Sequence, residues 1–110
     1  MRYPVNHFAN HTRPAFVLAA LLMCSASMAA EVKLTGAQFL NQAKVPPGKA
    51  EQIALAAYPG SFVSKELEKE SGGSGLRYTY DIRNGKAVHE VGVDANTGSV
   101  LENSVEKGGD

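Results

Sequence analysis

The sequence predicts an α+β fold: one main helix, with a short N-terminal helix, packed on a small antiparallel β-sheet of three to four strands. Three observations predict it. Residues 49–58 (KAEQIALAAY) place Ala50, Ile53, Ala54 and Ala57 at i, i+3, i+4 and i+7, one stripe of a 3.6-residue period. From Ser61 the apolar period switches to two, Val63 and Leu67 alternating with Ser64, Glu66 and Glu68. Residues 78–98 then hold two alternating runs joined at Asn84-Gly85. Asn-Gly between such runs is the strongest short-range hairpin signal, because a type I′ turn needs φ > 0 at both central residues.

Taken in order, the chain divides into a leader (1–30), an N-terminal segment with a short helix (31–48), a folded domain (49–102) and a disordered tail (103–110). In the leader, Arg2 and Arg13 stand in a stretch without acids, residues 15–24 (AFVLAALLMC) are apolar, and residues 25–30 are small. That order is a secretory signal peptide, and its apolar run is shorter than the roughly 20 residues that cross a bilayer. Cleavage after Ala29 puts Ser27 and Ala29 at the small-residue positions and cleavage after Ala30 puts Met28 and Ala30 there, the first fitting better by side-chain size. Cys24 is a poor lipid-bearing cysteine, since bacterial lipoprotein signals usually place a small residue just ahead of it and here Met23 stands there.

Residues 36–43 suit a short helix with Thr35 as N-cap and Phe39, Leu40 and Ala43 on one face. Pro46-Pro47 breaks the chain, and Pro47 fits the first turn of the main helix. Pro59-Gly60 ends that helix. Residues 71–75 (SGGSG) make a hairpin loop, after which Leu76, Tyr78, Tyr80 and Ile82 point one way and Arg77, Thr79, Asp81 and Arg83 the other. Val91 and Val93 fix the inward face of the next strand and carry His89 with them. Asp94 to Gly98 forms a turn, where Asp94 or Asn96 bonds the backbone ahead and Gly98 takes φ > 0. Val100 and Leu101 offer a short last strand, and from Glu102 the chain is expected to fray. The inward set is Ile53, Ala57, Tyr58, Val63, Leu67, Leu76, Tyr78, Tyr80, Ile82, Val91, Val93 and Val100.

The whole chain balances 11 basic against 11 acidic side chains. Without Arg2 and Arg13, nine basic residues face eleven acidic ones, a balance that argues against nucleic acid and against anionic membranes as partners. Loss of the leader also removes Cys24, His7 and His11. No thiol chemistry or disulfide then remains, and His89 is the single histidine.

Each candidate for chemistry has a plainer reading. Catalysis by His89 needs a nucleophile and an orienting partner, and Ser64 or Ser99 could serve only by accident of the fold, so His89 reads as a packing residue at a strand edge. Asp94, Asn96 and Gly98 have the spacing that opens a calcium loop. The twelfth position from Asp94 is Val105, however, where such a loop needs a bidentate Glu. Glu66, Glu68 and Glu70 share a strand face beside Lys65 and Lys69, a solvated pattern. The outward set Arg77, Thr79, Asp81, Arg83, Lys86, Val88 and Glu90 is a mixed-charge ladder on an open sheet face. An edge beside it could take a partner's extended segment.

The chain resembles the PepSY domain. The residues that carry the resemblance are Ala57-Tyr58-Pro59-Gly60 at the helix end, Val63, Glu66-Leu67-Glu68, residues 78–82 (YTYDI), Asn84-Gly85-Lys86, and residues 91–100 (VGVDANTGSV). The departure is Pro46-Pro47-Gly48, which stands where a polar helix cap is usual. The resemblance implies an extracytoplasmic module of a helix on an antiparallel sheet, and inhibition or regulation of a peptidase met in trans, since no peptidase domain lies in these residues. The sequence reading is therefore a non-enzymatic, periplasmic or secreted module that binds protein or peptide through Arg77, Thr79, Asp81, Arg83, Lys86 and Glu90, with no cofactor, nucleic acid or membrane. The alternative is a small cation-binding protein that uses Asp94 and Asn96.

Overall fold

The computed structural model describes residues 31–106 and, apart from them, Arg2. The proposed leader and residues 107–110 of the tail lie outside the described residues. Within them the order is strand β1 (Leu34–Thr35), a 3₁₀ segment (Ala37–Gln42), helix α1 (Pro47–Ala57), β2 (Ser61–Lys69), β3 (Leu76–Asn84), β4 (Ala87–Asp94) and β5 (Val100–Val105). The strands form one sheet in the order β1-β2-β3-β4-β5. β1 runs parallel to β2, and β2 to β5 form an antiparallel meander.

The α+β class holds, but the sheet has five strands rather than three to four. Both additions lie at its edges. Leu34 and Thr35 pair with Lys65 and Glu66, which adds a parallel strand at one side. At the other, β5 continues to Val105, so residues 102–105, expected to fray, are strand. Polar Glu102, Asn103 and Ser104 hid this strand, because an edge strand needs few apolar residues when its backbone bonds are made by one neighbour.

Helix α1 forms where expected and starts two residues earlier, at Pro47, whose fixed φ suits the first turn and whose missing N–H is an orphan there in any case. Tyr58 leaves the helix in extended conformation and Pro59-Gly60 follows. Ala50 and Ala54 are completely buried. Small side chains on this stripe let the helix backbone lie close to the large residues of the sheet. Those are Leu67, Leu76, Tyr78, Tyr80, Ile82, Val91 and Val93, with Ala95 at the end of β4. Ile53, Ala57 and Tyr58 are partly buried against them. The Tyr78 hydroxyl is satisfied by donating to the Val45 carbonyl at 2.7 Å.

Two expected core residues are not core. Val63 is 46% exposed because a β-bulge between Phe62 and Ser64 inserts it as an unpaired residue, and Phe62 takes the inward place opposite Ile82. Val100 is 45% exposed, on the uncovered edge strand opposite Val93. Near the N-terminus, Thr35 is a strand residue, and the 3₁₀ segment is capped by Gly36 at φ 90°. The β3–β4 turn also differs in register. Asn84 pairs with Ala87, so the two loop residues are Gly85 and Lys86. Gly85 has φ 63° and, among the described residues, no non-glycine residue has positive φ, the pattern of a type II′ turn with glycine first. Asn84 instead sends its side-chain amide to the Pro59 carbonyl at 2.9 Å, which ties the hairpin to the end of the helix.

Candidate binding surface

The sheet face opposite α1 is built in cross-strand rows. One row runs Ser64, Asp81, Glu90, Ser104, and the next Glu66, Thr79, Gly92, Glu102. Strand alternation puts all of them on the outward side. Arg77 occupies the row beyond, opposite Glu68, and its side chain is only 11% exposed. It lies over Gly92, where an added Cβ would come within 3.0 Å of Arg77 Cδ, and it reaches Glu70 at 3.7 Å and Glu102 at 3.6 Å.

Much of the expected ladder is therefore bonded to itself. Thr79 is buried and donates to Glu68 at 3.0 Å, and Ser64 donates to Asp81 at 2.9 Å. Arg83 is exposed near the end of β3, and Lys86 is exposed in the turn beyond it. Glu90 sits directly opposite Asp81 with no cation paired to either among the described residues. Burial, and then repulsion from Glu102, Asp81, Glu106 and Glu70, raises the Glu90 carboxyl above its ordinary value. Burial and Asp81 do the same to Glu106. The face is consequently acid-rich. Glu102 and Glu106 belong to this set but were missed from sequence, because both fall in the stretch expected to fray.

The rows end on β5, which among the described residues pairs as a strand with β4 alone, and its Val100, Leu101 and Val105 are exposed at 45%, 36% and 61%. Asn103 anchors it from the inner side. Its amide nitrogen donates to the Ala57 carbonyl at 3.3 Å, which leaves its oxygen to accept from His89 Nδ1 at 2.8 Å. His89 also stacks on Tyr58 at a 3.7 Å ring separation. That packing joins the β4–β5 edge to the C-terminal end of α1.

The PepSY family, described as peptidase propeptide and YPEB domain, matches residues 44–103. The chain belongs to this family. No curated protein and no solved structure matches it. The PepSY region takes in α1, β2, β3, β4 and most of β5, and it leaves out β1 and the 3₁₀ segment. The acidic rows and the free edge thus lie almost wholly within the PepSY domain itself.

The turn after β4 of the PepSY domain is a closed knot. Asp94 is 1% exposed and accepts from Ser74 N–H at 2.6 Å, Ser74 Oγ at 2.8 Å, Asn96 N–H at 2.8 Å and Thr97 N–H at 3.0 Å. Burial alone would raise its carboxyl, but these donors outweigh burial and hold it far below the usual carboxylate range. The Asn96 side-chain oxygen accepts from Lys44 N–H. The oxygens of Asp94 and Asn96 weighed for a cation are therefore engaged by protein donors. Among the described residues, no group of three or more His, Cys, Asp or Glu side chains is arranged to hold a metal ion.

Proposed function

We propose that this PepSY domain is a non-enzymatic extracytoplasmic binding module that takes an extended, basic segment of a protein partner along β5, and that the partner is a peptidase met in trans. The observation that carries this reading is β5 itself, a six-residue edge strand with exposed apolar side chains on which the acidic rows end. An extended segment gains main-chain hydrogen bonds from such an edge, and its alternate side chains supply specificity. Lys or Arg side chains of the segment would reach Glu90, Glu102 and Glu106 and relieve their mutual repulsion. The family's link to peptidase propeptides supports the class of partner. Among the described residues no helix is long and apolar enough to cross a membrane.

The test is titration of the purified protein into secreted peptidases of the thermolysin class, with Leu101→Lys/Val105→Lys and Arg77→Glu/Arg83→Glu variants alongside. Lysine on an edge strand blocks strand addition while leaving the fold intact. Peptidase activity should fall with wild-type protein and recover with the β5 variant. Equal inhibition by the β5 variant, with loss in the arginine variant, would move binding to the sheet face. No complex with any peptidase by size-exclusion chromatography would sink the reading.

A further inference from the structure

On the helix side of the sheet, β2 places two lysines at inward positions, Lys65 opposite Tyr80 and Lys69 opposite Leu76, and Lys65 is the less exposed of them. Leu34, Lys65, Tyr80 and Val91 form a row across β1 to β4, and Lys65 stands in it between Leu34 and Tyr80. Its side chain is 14% exposed, lies over the Phe62 ring and pairs with Glu51 from the first turns of α1. A polar residue at a core position is a local inconsistency that a fold keeps at functional sites. Here it borders a cavity of about 500 Å³, within the range of small-molecule sites. Val32, Leu34 and Pro47 give the cavity an apolar wall, Glu51, Lys65 and Tyr80 supply polar groups from the helix and the sheet, and the charged residues Glu31 and Lys33 line it as well.

Tyr80 is the second, independent sign of a ligand. It is 1% exposed, it lines the cavity, and its hydroxyl has no hydrogen-bond partner among the described residues. Buried hydroxyls are nearly always paired, and an unpaired one costs stability. Burial, then the nearby Glu51 carboxylate and Tyr78, keeps this hydroxyl protonated well above its ordinary value, so it is a neutral donor. Lys65 has three N–H donors and Glu51 two acceptor oxygens, so their mutual bond leaves each with spare capacity. A cation, an anion and a neutral donor beside an apolar wall match a ligand that carries both charges and an apolar side chain.

We propose that this cavity binds a zwitterionic amino acid or dipeptide with an apolar side chain. The ligand's carboxylate takes Lys65 Nζ and the Tyr80 hydroxyl, its ammonium takes Glu51, and its side chain lies on Val32, Leu34 and Pro47. The site is separate from β5, so it stands whether or not strand addition occurs there.

The test is titration of the full protein with leucyl-leucine, N-acetyl-leucine, leucinamide and N-acetyl-leucinamide, followed by amide chemical shifts and calorimetry. Leucyl-leucine should shift Leu34, Lys65 and Tyr80 and bind most tightly, with each capped analogue weaker by about tenfold per charge removed. Tyr80→Phe should weaken it by about tenfold while the ligand-free protein melts no lower than wild type, since the variant removes an unpaired hydroxyl alone. Lys65→Met should abolish the discrimination between free and capped carboxylates. The proposal is overturned if none of the four compounds shifts these residues at millimolar concentration, if N-acetyl-leucinamide binds as well as leucyl-leucine, or if Tyr80→Phe binds as tightly as wild type.

Discussion

Asp94 concentrates more polar bonding than any other side chain described above, and its environment fixes what its replacement does. Its two oxygens collect four donors from the two loops at one end of the sheet, the β2–β3 loop through Ser74 and the β4–β5 turn through Asn96 and Thr97. Asp94→Asn keeps the shape but turns an amide N–H₂ toward some of those donors. We expect a loss of about 3 kcal/mol in urea unfolding, the scale of bonds to a buried charge left unmade, and a loss below 1 kcal/mol would mean the knot contributes little. Half of this site was legible in sequence. The Asp94-to-Thr97 turn follows from a short side chain bonding the backbone two or three residues ahead, and Gly98 at φ 79° completes it. Ser74 is 20 residues away, and nothing local to either segment tells that the two meet. The outward residues were legible in the same partial way. Alternation gives Arg77, Thr79 and Asp81 a common face, but it does not tell that Glu68 and Ser64 already occupy Thr79 and Asp81.

Elements with a strong period were readable, and those fixed by pairing were not. Helix α1 and strands β3 and β4 announce themselves by spacing, because each buries one continuous stripe. β1 has two residues and exists only because β2 offers it a partner, while the Val63 bulge changes the facing of Phe62 without changing composition. The β3–β4 turn shows how one residue of register alters the chemistry. Asn-Gly suggests both residues at the turn centre, yet the centre is Gly85-Lys86 and Asn84 closes the ladder with Ala87. Substitution separates the two arrangements. Gly85→Ala forces a Cβ into a left-handed backbone and should cost about 1–2 kcal/mol. Lys86→Gly should be nearly neutral, and Asn84→Ala should lose about 1 kcal/mol through its bond to Pro59. A large gain in stability from Lys86→Gly in thermal unfolding would instead favour a turn with φ > 0 at both centres.

At the scale of the whole molecule, charge is sorted by face, and that sorting sets how stability responds to pH. Glu90 and Glu106 are raised in the folded protein by burial and by the acids around them. A carboxylate with a raised folded value binds its proton more readily folded than unfolded, so stability grows as pH falls from neutral through that value and levels off near the unfolded carboxyl value of about 4.3. Asp94 has the opposite sign. Its folded value is depressed, so the stability it contributes is complete above the unfolded value of about 3.9 and drains away as pH falls below it. The two effects together place the stability maximum in weakly acidic solution rather than at neutrality. Urea unfolding from pH 3 to 8 should show it. The double substitution Glu90→Gln/Glu106→Gln should flatten the limb on the neutral side of the maximum, and Asp94→Asn should flatten the limb on its acid side. High salt should reduce the upper limb, where repulsion acts near the surface, and leave the lower limb, which rests on short buried bonds. A maximum that stayed at pH 7 or above would contradict the repulsion assigned to Glu90 and Glu106. The same repulsion gives the acidic face its capacity to favour a basic partner, since a Lys or Arg laid against it would pair with Glu90 and Glu106, which repel their acidic neighbours. Affinity for such a partner should then fall as pH is lowered toward the carboxylate range, because Glu90 and Glu106 take up protons before ordinary carboxylates do, while the protein itself becomes more stable.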